Sequence, residues 1–156
     1  MLRKIVIGAA AGAVGSVALN IVTYVDMAIR GRPASSTPAE VAGKIMVKVG
    51  VDLDPEGDDE KAGNRKTGIG SLMGYVTGLG VGTLYGALRV FTNKVPIPVA
   101  GLGLGAAAMA GSDVPIAALG VSDPRTWTRV DWFSDAVPHL AYGIVTAIAY
   151  DALTRE

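Results

Sequence analysis

The chain has no cysteine and one histidine, His139. Without cysteine there are no disulfides, thiolate metal sites or cysteine nucleophiles, although this says nothing about compartment. A single histidine and no cysteine leave no ligand set for a structural zinc or haem site. Charge is also scarce, at 18% of 156 residues, and aromatic residues make up 6%. That is too little charge to clothe a soluble globule of this length. The 14 basic and 14 acidic residues cancel, so no nucleic-acid partner held by bulk electrostatics is expected. Catalytic patterns are missing too. The sequence has no nucleophile elbow with Ser–His–Asp order, no His-Glu-x-x-His and no phosphate loop ending in Lys-Ser or Lys-Thr. Gly101-Leu102-Gly103-Leu104-Gly105 is glycine-rich, but it lies within an apolar stretch rather than after a soluble strand. No catalytic, cofactor-binding or metal-binding residue is therefore assigned, no cofactor is expected, and the protein reads as a non-enzyme.

Hydrophobic residues are abundant, at 50% of the chain, and mean hydropathy is +0.40. Charge collects between Arg30 and Lys66 and in two short clusters, Arg89–Lys94 and Asp123–Asp135. A bilayer core of about 30 Å takes roughly 20 apolar helical residues. Four segments qualify: about 5–29, 68–88, 95–121 and 136–153. The third carries Ser112-Asp113 and Pro115, so it reads either as one kinked span or as a span followed by an interfacial segment. Leu2-Arg3-Lys4 with Ser16-Val17-Ala18 also has the layout of a secretory signal. The apolar run continues past that point to Tyr24, which favours a retained helix. The expected fold is all-α: one polytopic membrane bundle spanning 1–156, with four transmembrane helices and a short amphipathic helix in the first loop.

That amphipathic helix is predicted over Pro38–Val49, after Thr37-Pro38-Ala39-Glu40, a capping box with proline at the first helical position. Val41, Ile45, Met46 and Val49 share one side, and Lys44 and Lys48 the other. The rest of the polar loop 30–67, Asp52–Arg65, is acidic and reads as mobile. The last loop, Ser122–Asp135, mixes Trp127, Trp132 and Phe133 with Arg125 and Arg129. The headgroup layer selects such a mixture, and so do protein interfaces. Trp127, Arg129, Trp132 and Phe133 are therefore candidates for a lipid anchor or an interface.

The clearest pattern is Gly70, Gly74, Gly78, Gly82 and Gly86, every fourth residue of the second segment. At 3.6 residues per turn these form one slowly drifting groove that lets another helix approach closely. Gly8, Gly12 and Ser16 repeat the spacing in the first segment, Gly103, Ala107 and Gly111 in the third, and Gly143 and Ala147 in the fourth. Spacing alone does not separate contacts within one chain from contacts between chains. Leu84-Tyr85-Gly86 and Ala141-Tyr142-Gly143 are a faint internal echo.

Ionisable residues within apolar spans are functional candidates. Asp26 stands four residues before Arg30, and Asp151 four before Arg155, so each reads first as an interfacial ion pair. Asp113, Asp135 and His139 remain as candidate functional polar groups, with His139 and Asp135 one turn apart and able to form a proton-responsive pair. Asn20, Thr23 and Tyr24 read as interhelical hydrogen-bond partners.

Two stretches carry a resemblance. One is Tyr24-Val25-Asp26-Met27-Ala28-Ile29-Arg30-Gly31-Arg32-Pro33-Ala34-Ser35-Ser36-Thr37-Pro38. The other is Asp123-Pro124-Arg125-Thr126-Trp127, continued by Pro138-His139-Leu140-Ala141-Tyr142-Gly143. With the four apolar segments, they resemble a group of small uncharacterised integral membrane proteins of actinobacteria. The resemblance covers most of the chain. It implies a membrane fold and a bacterial inner-membrane location, and it brings no activity, cofactor or site residue.

The expected function is association: an accessory subunit of a membrane complex or a homo-oligomer, with the lipid bilayer, other membrane subunits or further copies as partners. A small transporter or channel, proton-linked through His139, Asp113 or Asp135, is the alternative. Basic residues divide as Arg3, Lys4, Arg89, Lys94 and Arg155 on the termini side and nine on the other. That count places the long loop in the cytoplasm, whereas Arg3 and Lys4 before the first span argue the opposite.

Overall fold

The computed structural model describes residues 1–92 and 94–155. Among these the chain is entirely helical, with no strand. The elements in order are α1 (Leu2–Arg30), α2 (Thr37–Lys48), α3 (Asp59–Leu88), α4 (Ile97–Ala118), a single 3-10 turn (Pro124–Thr126) and α5 (Arg129–Thr154). Three helices are long and apolar enough to cross a membrane: α1, α4 and α5. The fourth expected span, 68–88, lies within α3, which is 30 residues long but falls outside that set. Its five spaced glycines and its Ser, Thr and Tyr residues dilute the apolar ones, so length is present without matching hydropathy.

Several boundaries differ from the sequence reading. α3 begins at Asp59, so half of the stretch read as loop, 52–65, is helical. Asp58 caps it by accepting from the Lys61 backbone N–H at 3.1 Å, with Asp59 and Glu60 in the first turn where the helix dipole favours anions. The segment before the helix is tied down: Arg65 donates to the Leu53 carbonyl at 3.0 Å, and Glu56 accepts from Lys61 at 2.6 Å and from Arg65 at 3.1 Å. α5 begins at Arg129, not near Ala136, because Thr128 and Asp131 form a reciprocal capping box. α4 is one continuous helix with Pro115 inside it. α2 is capped one residue earlier than read: Ser36 occupies the cap position, and its hydroxyl donates to the Glu40 carboxylate at 2.6 Å instead of capping a backbone N–H. Three glycines close helices in the left-handed conformation. Gly31 (φ 62°) ends α1, Gly50 (φ 76°) follows α2, where Val51 N–H returns to the Met46 carbonyl, and Gly120 (φ 61°) follows α4, where Val121 N–H returns to the Ile116 carbonyl.

The four long helices run alternately up and down. α1 lies between α3 and α5, α5 also packs on α4, and α4 meets α3 along a thinner seam. α2 rests on α3 at the loop end. Small residues set these distances. A methyl group at Gly82 would stand 2.7 Å from the Gly12 Cα, and one at Gly8 would stand 2.9 Å from the Gly86 Cα. On the other side of the bundle, one at Gly105 would meet the His139 carbonyl at 2.8 Å, and one at Gly143 the Gly105 Cα at 2.9 Å. These helix pairs are in backbone contact, which residues with a Cβ would prevent.

The polarity of the packing follows. The buried positions of α1 are Gly8, Ala11, Gly12, Gly15 and Ser16, and those of α5 include Tyr142, Thr146 and Tyr150. Its outward positions are Val6, Val14, Val17, Ile21, Val25 and Ile29 on α1, with Leu72, Val76, Leu84 and Leu88 on α3. Branched aliphatics outside and small or hydroxyl-bearing residues inside invert the order of a water-soluble bundle. By length and composition, three of the described helices are suited to crossing a membrane.

Candidate functional site

The sequence left four ionisable candidates, and the fold brings three of them together. Asp113 on α4 and Asp135 and His139 on α5 meet at the loop end of the α4–α5 interface, with Ser112 between them. Backbone contact at Gly105 and Gly143 is what allows the two helices to come this close. His139 Nδ1–H donates to the Asp135 carbonyl oxygen at 2.8 Å, and the same nitrogen lies 3.4 Å from Asp135 Oδ1. A carbonyl can only accept, so the neutral ring carries its proton on Nδ1 and presents the Nε2 lone pair to Ser112 Oγ, 3.4 Å away. Ser112 Oγ also reaches the Met109 carbonyl at 2.9 Å and Asp113 Oδ1 at 3.3 Å. The carboxyls of Asp113 and Asp135 approach each other across the interface. Asp135 Oδ2 is buried and has no hydrogen-bond partner.

The cluster lies near the rim. Asp113 is five residues from the end of α4, about 7.5 Å at the helical rise. Asp26, the fourth candidate, stands apart: it pairs with Arg30 at 2.8 Å and with Arg32 at 2.6 Å. Arg30 also donates to Ser134 of α5 at 2.7 Å, which ties the end of α1 to the start of α5. Asp151, at the opposite end, pairs with Arg155 and with Lys94. Of the three residues read as interhelical bonding partners, Asn20 donates to the Tyr75 hydroxyl at 3.3 Å, and Tyr24 is exposed.

The last loop is compact. Trp127 donates through its indole N–H to Ser122 at 2.8 Å and stacks edge-on against Trp132, with centroids 5.1 Å apart. Arg125 grips Asp123 with two nitrogens, and their hydrogen bonds hold the Asp123 carboxyl below its ordinary range. Trp132, Phe133 and Arg129 face outward from the first turn of α5. Lys44, read as the polar side of a surface helix, instead donates to the Leu119 and Gly120 carbonyls at 2.8 and 3.1 Å, capping the end of α4. Val41 is buried and Ile45 and Met46 are half-buried, whereas Val49 is exposed and outside that face.

The spaced glycines of α3 divide. Gly78, Gly82 and Gly86 lie on α1 and the tyrosine core, and Gly70 lies on the Pro38 backbone of α2. Gly74 has open space where a Cβ would stand. One residue of consequence was not singled out from the sequence. Tyr142, 1% exposed, reaches from α5 across the bundle and donates to the Gly78 carbonyl at 2.6 Å. Gly15 and Gly78 leave the room it occupies. With Thr146 and Tyr150 it fills the centre of the bundle. Its only sequence signal was the Tyr-Gly echo with Tyr85-Gly86.

The chain matches no protein-family model, no curated protein and no solved structure. The class of protein therefore rests on the fold: an all-helical bundle with three helices suited to a membrane.

Proposed function

We propose that this is a four-span protein of a bacterial inner membrane, non-enzymatic, that acts by helix–helix association as an accessory subunit or a homo-oligomer. α3 is taken as the fourth span because its outward residues Leu72, Val76, Leu84 and Leu88 match the lipid-facing aliphatics of α1. The observation that carries the association reading is the outer face of α4. Gly103, Ala106, Ala107 and Ala110 are all exposed there, and Gly103 has open space beyond it. A flat small-residue strip of this kind packs closely against another helix and is poorly matched to lipid chains. The small-residue faces that join α1 to α3 and α4 to α5 are occupied within the chain, whereas this strip is open to a neighbour. Native mass spectrometry after gentle extraction tests the reading. A defined homo- or hetero-complex that Ala107→Trp disperses supports it. A lone monomer, with no partner recovered by crosslinking in the membrane, overturns it.

The Asp113–Ser112–His139–Asp135 cluster favours a second reading, a small proton-linked transporter. Its Asp135 Oδ2 is buried and lacks a hydrogen-bond partner, and His139 beside it is a group that can exchange protons near neutral pH. Tyr142, Thr146 and Tyr150 fill the bundle centre, so a path would have to run along the α4–α5 or α3–α4 seam. Liposome flux that depends on a pH gradient and is lost in His139→Gln would support this reading, and flux unaffected by that change would remove it.

A further inference from the structure

Two buried polar atoms without a hydrogen-bond partner stand together at the end of the bundle away from α2. They are Arg89 Nε, just past the end of α3, and the hydroxyl of Tyr150 on α5. Tyr150 is 2% exposed. The Arg89 guanidinium lies 5.5 Å from the Tyr150 ring centroid and 5.7 Å from that of Tyr85, and the two rings meet edge-on with centroids 4.9 Å apart. Part of the guanidinium is in use, since Nη1 donates to the Tyr85 hydroxyl at 3.0 Å. That bond takes a lone pair of the Tyr85 oxygen and leaves the Tyr85 proton to donate. The group is fixed from behind: Lys4 donates to the Arg89 carbonyl at 2.7 Å, which ties α1 to the end of α3.

The charge at this spot is uncompensated. No described carboxylate pairs with Arg89. Asp151, the described acid at this end of the bundle, is taken by Lys94 at 3.2 Å and by Arg155. A guanidinium packed among tyrosine rings is costly unless it is paired. The two unmet atoms are a guanidinium N–H and a phenol O–H, and both can donate. Donors converging beside an unpaired positive charge select an acceptor that carries negative charge.

We propose that Arg89, Tyr150 and Tyr85 hold a small monovalent inorganic anion of halide size, which serves as counter-ion to Arg89 and accepts from Arg89 Nε–H and the Tyr150 hydroxyl. Both unmet atoms are shut off from the surface, which excludes a bulky organic anion. A water molecule meets the same two donors but leaves the charge unbalanced. The inference rests on contacts inside the bundle, and neither on association nor on the number of crossings.

The test is chloride NMR line broadening by the full chain in an uncharged detergent, with thermal unfolding followed in potassium chloride and in potassium gluconate of equal ionic strength. Chloride should be broadened by the protein and displaced by bromide, and the protein should unfold at a higher temperature in chloride than in gluconate. Tyr150→Phe changes no charge and keeps the ring contact with Tyr85. It should weaken chloride binding roughly tenfold, the loss of one hydrogen bond to an ion, and remove the advantage of chloride over gluconate. Arg155→Gln removes a charge at the same end and should change binding by no more than about twofold. Arg89→Gln should abolish binding, and if its helical content falls the Tyr150 variant still decides. No specific broadening, or broadening that Tyr150→Phe leaves unchanged, overturns the proposal. Destabilisation by Tyr150→Phe that is equal in the two salts, without a chloride signal, identifies water as the bridge and also overturns it.

Discussion

Gly82 and Gly74 stand two turns apart on α3 and have opposite surroundings. Gly82→Ala would drive a methyl group into the Gly12 backbone and should cost about 1–3 kcal/mol or more. Gly74→Ala meets open space and should be neutral or stabilising by up to about 1 kcal/mol. Denaturant titration in mixed micelles compares the two directly, and equal effects would contradict the packing. Tyr142→Phe keeps the ring in its slot and removes the bond to the Gly78 carbonyl, a loss of about 0.5–1.5 kcal/mol by the same assay. The period-four glycines were readable in the sequence because helical geometry turns that spacing into a face. Which glycine met which helix was not readable, since Gly74 and Gly78 have the same spacing and differ only in their neighbours. Tyr142 was hidden for the same reason: its role depends on gaps left by Gly15 and Gly78 on two other helices.

At the scale of elements, the helix starts that were missed had local signals. Thr128-x-x-Asp131 and Asp58 before Asp59-Glu60 both mark helix N-termini. They were overshadowed by hydropathy, which registers the apolar part of a helix and not its polar first turns. Thr128→Ala should therefore fray α5 and cost about 1 kcal/mol, measurable as faster amide exchange over 129–132. The segment before α3 should respond to acid. Hydrogen bonds from Lys61 and then Arg65 hold the Glu56 carboxyl below its ordinary value of 4.5. A lowered carboxyl stabilises the fold at pH above its unfolded value, and the contribution is lost as pH falls through the folded one. Protection factors over 52–58, corrected for the intrinsic pH dependence of amide exchange, should fall on acidification below pH 4.5 and be flat above it. In Glu56→Gln that acid-dependent fall should be absent. α2 depends on Lys44 at the end of α4, so Lys44→Gln should loosen α2 while the long helices stay protected.

At the scale of the whole molecule, the all-helical character followed from long apolar segments separated by polar loops. The number of crossings did not, because α3 combines spanning length with a glycine content that lowers its hydropathy. The fourth crossing is proposed on the packing of α3. α3 presents aliphatics outward and glycines inward, as α1 does. The polar cluster was half visible, since His139 and Asp135 are one turn apart in sequence, whereas Ser112 and Asp113 join them only through the close approach of α4 and α5.

The crossing number is tested most directly by the side on which the two ends of the chain emerge. The chain has no native cysteine, so Leu2→Cys, Glu60→Cys and Thr154→Cys each give a single reactive thiol for a membrane-impermeant maleimide in sealed oriented vesicles. The account predicts that residues 2 and 154 label from the same side and residue 60 from the opposite one. Labelling of 2 and 154 from opposite sides, with 60 on the side of 154, would mean that α3 does not cross and would contradict the four-span bundle.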